Sequence, residues 1–166
     1  MANKQSFTPE EWTKILESTM LAGMAVTAAE PSGLWGLMTE SLASGSALAQ
    51  AKADPNSNEL VKAVVAELEA PEGRSSVQEG LRKLLAGAKP TDAVQRSLAN
   101  LREVSAILAA KAPGDASAFK AWLSCISQKV AEASSEGGFL GIGGVQVSDA
   151  EKATLGDIAK ALGTSA

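Results

Sequence analysis

The densest concentration of glycine in the chain lies between Glu136 and Val147, where Gly137, Gly138, Gly141, Gly143 and Gly144 alternate with Phe139, Leu140, Ile142 and Val145. A run of this kind ahead of a helix can cradle a phosphate, because successive backbone N–H groups and the positive helix end favour an anion. The residues that follow argue against that use. No Gly-Lys-Ser/Thr ending is present, the spacing misses the dinucleotide fingerprint, and Ser148, Asp149 and Glu151 already cap the next helix and charge its start negatively. A calcium loop closing on Glu151 would need ligands at Leu140, Ile142 and Gly144, none of which carries a carboxylate. The block reads as a tight connection whose glycines accept positive φ while its apolar residues tuck inward. Gly137, Gly138, Phe139, Gly141, Gly143 and Gly144 stand as the candidate functional loop.

The other reactive side chains are few. Histidine and tyrosine are both absent, which removes Ser-His-Asp and Cys-His catalysis and His-ligated zinc. The single cysteine, Cys125, has no neighbouring histidine or arginine to activate it and reads as a small hydrophobe rather than a nucleophile. Its position is more informative than its thiol. It shares a helix flank with Ala118 and Ala121, and these three small residues form a candidate interaction face. Glu67 and Glu69 are two apart, so on a helix they diverge and make no acid/base pair. Trp12, Trp35 and Trp122 fall on apolar stripes and read as packing anchors. No catalytic, cofactor-binding or metal-ligating residue is assigned, and an enzymatic role is not favoured.

The elements that carry these residues are helical throughout. Thr8-Pro9-Glu10-Glu11 is a capping box with proline at the first helical position. It opens a helix whose stripe runs through Trp12, Ile15, Leu16, Thr19, Gly23 and Val26 to about Ala29. A second helix, roughly 34–52, carries Trp35, Leu37, Met38, Leu42 and Leu48 among small residues that include Gly45, which suits a close crossing. Asn58 closes a turn and cap cluster, after which Leu60, Val61, Val64, Val65 and Leu68 form a third helix ended by Pro71 and Gly73. Ser76-Val77-Gln78-Glu79 reads as a capping box for a short fourth helix that stops at Gly87. Val94, Leu98, Leu101, Ser105 and Leu108 mark a central helix to Lys111. Pro113, Gly114 and Asp115 end it and cap the next, whose Phe119, Trp122, Leu123, Ile126, Val130 and Ala133 form the cleanest stripe. Ser148 and Glu151 box the last helix, with Leu155, Ile158, Ala159 and Leu162 inward. The expected fold is all-α: one domain over 1–166, a bundle of six or seven helices, with 1–7 and 164–166 frayed.

At 166 residues, with 45% hydrophobic and 20% charged residues and a mean hydropathy of +0.04, the chain has the composition of a globular domain that needs no metal or disulfide. A net charge of -4 without a basic cluster excludes nucleic acid as the expected partner. The weakly charged stretch from Thr19 to Thr39 is interrupted by Glu30, Pro31, Ser32 and Gly33, so no membrane span is expected. One unpaired cysteine and an N-terminus without the layout of a secretory signal point to the cytoplasm.

Two resemblances extend this reading. Phe7-Thr8-Pro9-Glu10-Glu11-Trp12, Lys120-Ala121-Trp122-Leu123, Val130-Ala131-Glu132-Ala133, and the run from Glu136 to Gly141 continuing through Gly143-Gly144-Val145 and Val147-Ser148 resemble an uncharacterised bacterial all-helical family. That family implies a fold and no activity. More loosely, Val147-Ser148-Asp149-Ala150-Glu151-Lys152 with Leu155 and Ile158 is similar to helical proteins of the tellurite-resistance TerB type. Those carry an acidic Asp-Gly turn where this chain has Gly143-Gly144, so no metal-linked role is carried over. The expected function is a non-catalytic helical interaction or adaptor protein, binding a protein partner or itself as a homodimer. The alternative is a carrier or sensor for a small apolar ligand held between helices, suggested by the small residues of the second helix and by Met20, Met24 and Met38.

Overall fold

A computed structural model describes residues 1–29, 51–54, 57–136 and 147–164. The described residues contain helices and no strand. A 3₁₀ turn at Lys4–Ser6 precedes α1 (Pro9–Ala29), α2 (Glu59–Glu69), α3 (Pro71–Leu85), α4 (Pro90–Lys111), α5 (Pro113–Glu136) and α6 (Asp149–Leu162). Residues 51–53 are also helical. The all-α bundle is therefore the architecture. The second-helix features Trp35, Met38 and Gly45 lie outside the described residues.

The first helix begins where its capping box requires. The Glu11 N–H donates to Thr8 Oγ1 at 3.2 Å, and the Thr8 N–H donates to Glu11 Oε2 at 2.8 Å. From there α1 is enclosed almost along its whole length, with Trp12, Ile15, Leu16, Leu21, Ala22, Ala25 and Val26 buried. It touches every other described α-helix, α4 most extensively and α5 next. The centre of the bundle is thus the α1–α4 pair, in which α4 contributes Leu98, Leu101, Val104 and Leu108. So apolar a helix must also satisfy its hydroxyls. Ser18 Oγ donates to the Ile15 carbonyl at 2.6 Å and Thr19 Oγ1 to the Leu16 carbonyl at 2.7 Å. Close contact with α5 is set by Gly23: a Cβ there would stand 3.1 Å from Val130 Cγ2. In the same seam Ser127 Oγ reaches the Ala22 carbonyl at 3.1 Å.

The junction between α2 and α3 departs from the sequence reading. The helix of Leu60 to Leu68 does stop ahead of Pro71, at Glu69, but Pro71 and Gly73 also open the next one, and α3 runs unbroken from Pro71 past Ser76 to Leu85. Pro71 is the first residue of α3, the one helical position where a missing N–H costs nothing. Gly73 lies one turn in and is buried against the preceding helix. Ser76 is therefore an exposed mid-helix residue rather than a cap. Gly87 does terminate the segment, with φ +67.

The start of the chain also differs from expectation. Residues 1–7, expected to fray, lie on the bundle: Ala2 and Phe7 are buried, and Phe7 stacks on Trp12 with ring centroids 5.9 Å apart. Lys4 pairs with Glu67 of α2 at 2.7 Å. Asp115 holds this corner together. Rather than capping α5 it sits in the first turn of that helix, where its carboxylate accepts from the Ala2 N–H and from Asn58 Nδ2, each at 2.7 Å. Burial alone would push this carboxyl up, but the two hydrogen bonds and the charge of the N-terminal amine, 4.0 Å away, together outweigh it and hold Asp115 below its ordinary value. At the other end of the chain Ser148 and Glu151 form the expected box, Gly163 adopts φ +68, and Ser105 Oγ of α4 donates to the Leu162 carbonyl at 3.0 Å.

Among the described α-helices, α3 buries the fewest residues. Its buried residues are Gly73 and Val77, and its far end is tied to α4 by Arg96, whose Nη1 donates to the Leu84 and Ala86 carbonyls at 2.7 and 3.3 Å. Arg96→Ala is expected to cost about 1 kcal/mol, the net value of a typical hydrogen bond with some charge assistance. Amide hydrogen exchange should show the loss at the last turn of α3, and unchanged protection there would contradict this role.

Candidate functional site

The residues of the candidate interaction face all lie on α5. The α5 stripe of Phe119, Leu123, Ile126 and Val130 is buried in the bundle, with Trp122 partly buried beside Phe119 in an edge-to-face contact at 5.5 Å. Turned about a third of a revolution away, Ala118, Ala121 and Cys125 are all exposed, together with Gly114 and Ser117. Periodicity explains the arrangement: offsets of three and four keep 118, 121 and 125 on one flank while 119, 123, 126 and 130 share another. The flank is framed by Gln128 and Glu132 toward its C-terminal end, which hydrogen bond to one another at 3.0 Å. It offers small side chains and backbone rather than a reactive group.

The candidate loop of Gly137, Gly138, Phe139, Gly141, Gly143 and Gly144 lies outside the described residues. Met20 and Met24, read as lining for an apolar ligand, stand half-buried on α1, and Met38 lies outside the described residues. Of the tryptophans, Trp12 is buried as expected, Trp122 is partly buried, and Trp35 lies outside the described residues. Glu67 and Glu69 diverge as expected, one toward Lys4 and the other toward Lys52.

A second cluster was not anticipated. Glu17 of α1 is only 7% exposed, and its Oε2 receives a long hydrogen bond, 3.4 Å, from Asn100 Nδ2 of α4. Asn100 and Ser97, one turn apart on α4, are 6% and 1% exposed; Asn100 Oδ1 and Ser97 Oγ have no hydrogen-bond partner. Over the carboxyl lies Gly80 of α3, where an added Cβ would fall 1.7 Å from Glu17 Oε1. Burial pushes the Glu17 carboxyl up from its ordinary value, and the charge of Lys14 opposes this only in part. The signal for this residue was present: Glu17 is the one charged residue between Lys14 and Glu30, in a stretch apolar on nearly all sides. Its partners were not legible, because Gly80 and Asn100 reach it only through tertiary packing.

Among the described residues, no three or more Cys, Asp and Glu side chains are grouped so as to hold a metal ion, and no helix is long and apolar enough to cross a membrane. No protein-family model matches the chain, and no curated protein or solved structure matches it either.

Proposed function

We propose that this protein is a non-catalytic helical interaction protein that receives a partner helix on the exposed flank of α5. The observation that carries the reading is the contrast within one helix: Phe119, Leu123 and Ile126 are fully committed to the core, while Ala118, Ala121 and Cys125 face outward with nothing larger than a thiol. Small residues at this spacing let a second helix approach closely, so that backbone and short side chains make the contact. The flank is short, which suits one helix rather than a broad surface. Partner capture, including self-association into a homodimer, is the proposed activity. We place it in the cytoplasm, since a lone exposed cysteine is compatible with a reducing compartment.

Substituting both Ala118 and Ala121 by arginine tests the reading. Both positions are exposed, so the variant should keep its helical circular dichroism and melt within a few degrees of the native protein. Two bulky charges on the approach face should weaken self-association or partner binding by about tenfold or more. Sedimentation velocity reads the first, and photo-crosslinking from a probe on Cys125 reads the second. A native-like crosslink or dimer in the doubly substituted protein would remove this face from the function.

A further inference from the structure

Glu17 lies beneath α3, which buries the fewest residues among the described α-helices. Three elements meet at its carboxyl: α1 supplies it, α4 offers the Asn100 amide, and α3 covers it with Gly80, a position that accommodates the carboxyl because it has no Cβ. Charged groups around it are few and largely occupied. On α1, Lys14 faces it from one turn away and also pairs with Glu103 of α4. On α4, Arg96 is engaged by the α3 carbonyls. On α3, Glu79, Arg82 and Lys83 are exposed and pair among themselves. Among the described residues no cation is therefore dedicated to neutralising Glu17.

We propose that the Glu17 carboxyl is a protonation-controlled latch for α3: neutral, it lies closed between Gly80 and Asn100; ionised, it draws water into the α1–α3–α4 seam and loosens that helix. Hydrogen-bond chemistry favours the neutral form when closed. A protonated carboxyl brings a donor to a cluster whose unpaired atoms include an acceptor, Asn100 Oδ1, whereas the carboxylate adds only acceptors. A carboxylate enclosed without a dedicated partner recovers hydration most readily by displacing its weakest wall. That wall is α3, which buries Gly73 and Val77, against the seven buried residues of α4. The raised Glu17 value agrees with this preference. The sign follows from linkage: a carboxyl raised in the folded state contributes no penalty below its unfolded value, and the penalty grows as pH rises through its folded value.

Hydrogen exchange on the full chain, expressed as protection factors corrected for intrinsic rates, tests the latch at about pH 4, below the ordinary carboxyl value, and at about pH 7.5, well above it. In the native protein, α3 amides should lose about tenfold protection relative to α4 between the two conditions, and in Glu17→Gln they should not. Identical pH profiles for α3 in the two proteins would overturn the proposal, as would a loss shared equally by α3, α4 and α5. Gly80→Ala gives an independent reading should the first variant fail to fold. Its Cβ occupies the seat of the carboxyl oxygen and turns the flexible Glu17 side chain out of the seam, so α3 should lose its pH dependence. A Gly80→Ala protein that keeps the native pH dependence would also overturn the latch.

Discussion

Replacing Asp115 by alanine should destabilise the protein by about 3 kcal/mol at neutral pH, a large effect for one residue of a helix's first turn. Its carboxylate binds two donors at 2.7 Å, the Ala2 N–H and Asn58 Nδ2. Hydrogen bonds to a charged group contribute roughly 1.5–3 kcal/mol each, and deleting the acceptor leaves both donors to find water or remain unpaired. Ala2, near the start of the chain, can regain water by lifting away. Asn58 cannot do so as easily, because its Oδ1 is also the N-cap of α2, accepting from the Leu60 N–H at 2.9 Å. The sum therefore falls below two full charged bonds, and removing a buried charge recovers part of its desolvation cost. The pH dependence supplies the second half of the test. A carboxyl held below its ordinary value contributes stability that is complete above its unfolded value and is lost as pH falls through its folded value. Urea unfolding from about pH 7 down to about pH 2 should show the two proteins converging only at the acid end. A difference under about 0.5 kcal/mol at pH 7, or one that does not close in acid, would show that Asp115 is not the anchor of this corner.

This anchor also marks the boundary of what local pattern can convey. The caps at Thr8 and Ser148 were legible because both partners of each box are three residues apart in the chain. The buried stripe and exposed flank of α5 were legible because a 3.6-residue period sorts them without knowledge of any neighbour. Asp115 was visible as helix punctuation, but its true partners are 113 and 57 residues away, and no spacing rule connects them. Glu17 belongs to the same class, and so does the burial of Ala2 and Phe7 at an end of the chain that composition alone would leave loose. The start of α3, expected at Ser76 and found at Pro71, was missed for a different reason. Proline stops a helix that reaches it and starts a helix that follows it, and Pro71 does both: α2 ends at Glu69 and α3 begins at Pro71. Three-dimensional packing leaves no linker between the two: the α2–α3 corner is tight enough that only a residue without a side chain fits in the first turn of α3.

That corner leads to the second large effect. Gly73→Ala would ordinarily stabilise a helix, by about 1 kcal/mol at an interior position. Here the added Cβ would fall 2.0 Å from the Glu67 carbonyl oxygen and 2.7 Å from its carbonyl carbon. Gly80 provides the comparison. Its Cβ would also collide, at 1.7 Å, but with the end of a glutamate side chain that can rotate aside, whereas the obstacle at Gly73 is backbone. Relief at Gly73 requires α3 to move away from the end of α2, where the Ala70 N–H donates to the same Glu67 carbonyl at 3.1 Å. It would also disturb the seat of Val77, the one large side chain that α3 buries. Overpacking of this kind costs roughly 1–3 kcal/mol and occasionally more, and a backbone overlap belongs at the upper end. Set against the propensity gain, the net expectation is a loss of about 2 kcal/mol. Chemical denaturation gives the total, and hydrogen exchange should show the loss concentrated in α2 and α3. A Gly73→Ala protein as stable as the native one would mean that this corner opens freely, and that α3 is held only by Val77 and the Arg96 tie.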